Sequence, residues 1–153
     1  MSGGLFKKMK RQALYFSLLF AAVAMLTSSC ALRNEAAREG CKGKIGIVFD
    51  IGGKNDRSFN AAAWEGVQRA ERELGICLYD VEPGNPTSIE PAMRSFAEKD
   101  FDLVIGVGFA QGPIMQKVAF DYPNVKFAIV DGVIFEADGK TPRSNVASLV
   151  FRE

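Results

Sequence analysis

KIGIVFDIGGKNDRSFNAAAWEGVQRAERELG, residues 44–75, decides the fold. Its first seven residues (44–50) are a short apolar run rich in β-branched side chains, the signature of a strand buried on both faces. Phe59, Ala62, Ala63, Val67, Ala70 and Leu74 then recur in steps of three and four, which predicts a helix with one apolar face. Asp56 or Ser58 is placed to cap its start, and Gly75 to end it. Strand, polar loop, helix and glycine stop together form the first half of a βαβ unit.

The pattern repeats outward. ICLYDVE (76–82) reads as a second strand, broken by Pro83, Gly84, Asn85 and Pro86. A second helix is expected from a cap at Thr87 or Ser88 to about Asp100, with Pro91 tolerated in its first turn. FDLVIGVG (101–108) is the third strand, and Pro113 to Tyr122 the third helix, stopped at Pro123. KFAIVDG (126–132) and NVASLVF (145–151) supply a fourth and a fifth strand. This alternation predicts an α/β fold with a parallel, doubly wound sheet. Ligands of such sheets bind beyond the carboxyl ends of the strands. The polar residues there are Asp50, the 52–60 loop, Gly108 to Gln111, and Asp131, drawn from three separate stretches of sequence.

The first 43 residues differ in kind. Lys7, Lys8, Lys10 and Arg11 precede an apolar run from Leu14 to Leu26 interrupted only by Ser17. That run is too short to cross a roughly 30 Å hydrocarbon core comfortably and reads as a signal peptide, residues 1–29. Thr27, Ser28 and Ser29 lead into Cys30, and this resembles the lipobox of bacterial lipoproteins. Cys30 is accordingly expected to carry lipid, with residues 30–43 as a polar tether and residues 44–153 as a partial ligand-binding domain, anchored at the cell envelope and facing the periplasm or exterior. Thr27 stands where such motifs usually carry Leu.

Charge and composition narrow the function. The chain has 153 residues, 19 basic and 18 acidic, and no histidine. Four of the basic residues lie in the leader, so from Cys30 onward 15 face 18 acids, a net of −3. No basic stripe is left to attract nucleic acid. Without histidine the commonest general base and metal ligand are missing. No metal, cofactor or catalytic residue is expected. Cys41 and Cys77 precede or open neighbouring strands; in an oxidising compartment they either form a disulfide or remain a tether thiol and a small buried hydrophobe.

Several blocks carry a family resemblance: residues 44–75 quoted above, FDLVIGVGFA (101–110), YPNVKFAIVDGV (122–133) and NVASLVFRE (145–153). They resemble the basic membrane protein family, substrate-binding lipoproteins of ABC transporters, several of which bind purine nucleosides. The resemblance implies a two-lobed, type I periplasmic-binding-protein fold that closes around a nucleoside, with an ABC permease as partner. It also implies ligand roles for an aspartate ending the first strand, Asp50; a Phe–Asn pair opening the first helix, Phe59 and Asn60; and an aspartate ending the fourth strand, Asp131. The family's remaining ligand groups would lie after residue 153, so the chain is expected to supply the first lobe.

Each assignment has a plainer counterpart. Phe59 either stacks on a base or packs in the first helical turn. Asn60 offers donor and acceptor to a purine edge or serves the helix start. Asp131 accepts a ring N–H or simply turns the chain. Asp50 contacts ligand or holds the 52–60 loop. Trp64, in helical register with Val67, is read as packing. Two rival functions share the pattern. GVGFAQG (106–112) between strand and helix, with Asp131 nineteen residues on, approaches a dinucleotide-binding enzyme, but its spacing is GxGxxxG and it follows the third strand. A sugar-binding or signalling lipoprotein would use the same fold and similar residue types.

Overall fold

The computed structural model describes residues 40–151, which contain five parallel strands and three α-helices. In chain order these are β1 (Lys44–Val48), α1 (Phe59–Leu74), β2 (Cys77–Val81), α2 (Ile89–Glu98), β3 (Leu103–Val107), α3 (Gly112–Asp121), β4 (Lys126–Val130) and β5 (Val146–Leu149). The spatial order is β2-β1-β3-β4-β5. Every pairing is parallel, with Ile45 opposite Leu78 on one side and opposite Leu103 on the other.

Alternation along β1 divides its side chains between the two faces of the sheet. Val48 joins the larger core, where Met93 and Phe96 of α2 and Met115 and Val118 of α3 pack on Val104, Phe127 and Ile129. Ile47 and Phe49 face the other way, against Ala63, Trp64 and Val67 of α1. The glycine within β1 serves the larger core. A methyl on Gly46 would sit 2.5 Å from the Phe96 ring, so the bare backbone is what lets α2 lie this close. Trp64 packs as expected, edge-on to Phe49 at 6.0 Å between centroids.

Helix boundaries follow local chemistry. Asp56 accepts from the backbone N–H groups of Ser58, Asn60 and Ala61, satisfying donors that the first turn of α1 leaves free. Gly75 ends α1 in a left-handed conformation, its N–H bonded to the Glu71 carbonyl. The second helix departs from expectation. A 3-10 turn at Pro86–Ser88 comes first, and neither Thr87 nor Ser88 caps α2 through its side chain. Both hydroxyls instead donate to Asn85 Oδ1, at 2.6 and 3.1 Å, so the polar group organising this entry is Asn85. The helix stops at Glu98, short of the expected Asp100, because Asp100 turns the chain with φ 53°.

Cys41 and Cys77 are joined by a disulfide, with 5.5 Å between their Cα atoms. It lies at the amino end of the sheet, where the Cys77 N–H also donates to the Gly43 carbonyl. The expected signal peptide, the expected lipid attachment at Cys30 and most of the expected tether fall outside the described residues.

Candidate functional site

The strand order locates the site. The chain steps from β1 outward to β2, returns past β1 to β3, and continues outward in the other direction. The helices therefore diverge onto opposite faces at the β1/β3 boundary, and a crevice opens beyond the carboxyl ends of those two strands. Asp50 follows β1 there, and Gly108 follows β3.

These two residues lie close together. A Cβ on Gly108 would lie 3.3 Å from Asp50 Oδ2, and Gly108 has φ 101°, which side-chain-bearing residues rarely adopt. Asp50 Oδ1 accepts from the Ile51 N–H at 2.8 Å, and its carbonyl accepts from Gly53. Its own N–H donates to Asn60 Oδ1 at 3.3 Å. Asn60 is buried, so its carboxamide oxygen is engaged within the protein and its NH₂ remains as the group that could serve a ligand.

Asp131 ends β4 on the same rim. Its backbone is left-handed, φ 64°, and its N–H donates to the Leu149 carbonyl at 2.7 Å. Its half-buried carboxylate accepts no hydrogen bond from the described residues. A non-glycine residue in this conformation carries strain of order 1–3 kcal/mol, a feature that clusters at ligand sites. Phe59 opens α1 with its ring half-buried. It meets Phe151 edge-on at 5.9 Å and lines a cleft of about 350 Å³ with Ile47, Val67, Ile105 and Leu149.

The loop leading to Phe59 is pinned to the end of β2. Lys54 Nζ pairs with Asp80 at 2.5 Å and Glu82 at 3.3 Å, and lies 4.6 Å from the Trp64 ring centroid. The hydrogen bond to Asp80 raises the Lys54 pKa, and the Lys54 backbone N–H bonded to Glu82 lowers that carboxyl. Asp56 is likewise lowered, chiefly by the Asn60 N–H. The loop that follows Asp50 is thus held by charge at one end and by a helix cap at the other.

Gly108 to Gln111 reads in the sequence as one stretch of the rim, with no separate role for Phe109 or Gln111. Gln111 is fully buried, with its amide on the backbone of β1. Phe109 is 74% exposed, an aromatic surface immediately after Gly108. Nothing in residue spacing marks a glutamine as buried; glutamine before a helix usually faces water.

Such a sheet, with polar groups gathered at its switch point, defines a ligand-binding lobe of the periplasmic-binding-protein type. Comparison with known proteins agrees. Residues 44–153 match the family described as ABC transporter substrate-binding protein PnrA-like. The chain belongs to that family. It is 33% identical over 147 residues to an uncharacterized lipoprotein of Pyrococcus abyssi, covering 95% of this chain and 35% of that one. With the nucleoside-binding ABC transporter protein BmpA of Lactococcus lactis it shares 29% identity over 152 residues, 95% of this chain and 42% of the relative. A crystallised ABC solute-binding protein from Aeropyrum pernix superimposes with TM-score 0.65 at 34% identity, over 72% of this chain and 29% of that one. The chain spans about a third of the length of the relatives it matches. The glycine-rich 106–112 segment lies within the stretch that matches this solute-binding family.

Proposed function

We propose that this chain supplies the first lobe of a lipid-anchored, extracytoplasmic protein that delivers a purine nucleoside to an ABC permease. The observation that carries the reading is the polar rim: Asp50 with Asn60 after β1, and Asp131 after β4, from two separate stretches, all at the carboxyl ends of the strands. Asp131 suits a ring N–H, since an unpaired, half-buried carboxylate gains most from a donor. The Asn60 NH₂ suits a base acceptor, Phe59 offers an aromatic surface for stacking, and Asp50 braces the rim. The name of the Lactococcus relative supports a nucleoside over a sugar.

Calorimetry on the full-length protein with inosine, guanosine and a panel of sugars tests the ligand class. Nucleoside binding should weaken by roughly ten-fold or more in Asp131→Ala, the cost of an unpaired buried group. Binding of a sugar with no response to nucleosides would overturn the reading. The anchor is tested separately. Cells fed a fatty-acid analogue should label the parent protein and leave Cys30→Ser unlabelled; equal labelling would refute lipidation at Cys30.

A further inference from the structure

Past the pair Val48 and Gly106, the β1–β3 ladder ends and the strands separate toward the crevice. Backbone carbonyls at such a point still need partners. Gln111, on the turn after β3, reaches back across the gap. Its Nε2 donates to the carbonyl of Val48 at 3.2 Å and of Phe49 at 2.9 Å. The next backbone group along β1, the Asp50 N–H, is held by Asn60 Oδ1. Three consecutive residues leading into the rim are therefore fixed by two side chains, one from the turn after β3 and one from the first turn of α1.

The other half of the Gln111 amide makes little sense as packing alone. Its Oε1 is buried without a hydrogen-bond partner among the described residues and sits 2.9 Å from where a Cβ on Gly106 would be. A buried acceptor left unpaired is unfavourable, and an apolar side chain of similar length would avoid it. What the glutamine supplies and an apolar residue cannot is the pair of donors aimed at β1.

We propose that Gln111 is a positioning residue of the ligand site, stitching the end of β1 to the β3 turn so that the Asp50 carboxylate is held against Gly108. The proposal rests on the crevice being the ligand site. Gln111 itself touches no ligand; it acts through Asp50.

A coupling experiment tests this in the full-length protein, with guanosine and inosine as probes. Gln111→Met should weaken binding by about ten-fold, and by far less in an Asp50→Asn background, because residues acting through one another are not additive. A general loss of packing would give the same ratio in both backgrounds and would overturn the proposal. Gln111→Asn, which keeps the amide but is too short to reach both carbonyls, should behave like Gln111→Met and guards against a variant that fails to fold. A second measurement needs no ligand. Amide exchange at Asp50 should accelerate by about ten-fold in Gln111→Met, while amides in α3 keep their protection. Unchanged exchange at Asp50 refutes the positioning role even if no nucleoside binds. Absence of nucleoside binding in the parent protein, with accelerated exchange in the variant, refutes the ligand assignment and leaves the stitch standing.

Discussion

Asp56 is the residue on which the shape of the rim loop depends most directly. Its carboxylate gathers three backbone N–H groups just before and within the first turn of α1, the turn that bears Phe59 and Asn60. These bonds favour the charged form, so its pKa lies below the ordinary 3.8. A carboxyl depressed on folding stabilises the native state above its unfolded pKa. That contribution is lost as pH falls through the folded value. Asp56→Ala should therefore melt below the parent at pH 7, and the gap should close as pH drops below 3.8. Thermal melts across this range check the sign; a gap that widens in acid would contradict the capping role.

The elements that flank this loop are secured at both ends of the sheet. At the amino end, the Cys41–Cys77 disulfide ties the residues before β1 to the start of β2 across a sequence separation of 36. A loop of that size corresponds to about 4 kcal/mol of stabilisation in the chain-entropy account. Cys77→Ser, or reduction of the parent, should lower stability by an amount of that order, measured by denaturant unfolding. Free-thiol titration under denaturing, non-reducing conditions should find neither Cys41 nor Cys77 reactive. At the carboxyl end, Lys54 with Asp80 and Glu82 joins the loop to β2 by ion pairs, which respond to salt as the disulfide does not.

At the scale of the molecule, one rim cannot enclose a ligand. Small-molecule sites usually bury about 70–90% of the ligand surface, and the groups described here line a single side of the crevice. Residues 41–153 alone should show no tight nucleoside binding. The full-length protein should bind at micromolar or better, about −8 kcal/mol. Titrating both forms with inosine checks this, and tight binding by the isolated lobe would overturn the two-lobed reading.

The amino-acid sequence by itself determined the secondary structure and its layering. Apolar β-branched runs such as KIGIV and LVIGV, separated by helices with one apolar face, admit little besides a parallel sheet covered by helices. It also marked Asp50 and Asp131, because polar side chains at strand ends stand out against apolar strands, whereas Asn60 was singled out by the family resemblance. Helix entry was less legible: Asn85, Thr87 and Ser88 are all suitable caps, and only the folded backbone selects which oxygen accepts. Tertiary structure alone decided the rest. The order β2-β1-β3-β4-β5 puts β3 beside β1, and with it brings Gly108 close to Asp50 and Gln111 onto the Val48 and Phe49 carbonyls, 63 and 62 residues away in sequence. It engaged the Asn60 oxygen with the Asp50 N–H and left the Asp131 carboxylate without a partner among the described residues. Hydrophobic periodicity is a local signal set by helix and strand geometry, whereas the pairing of polar groups across a crevice depends on which strands become neighbours.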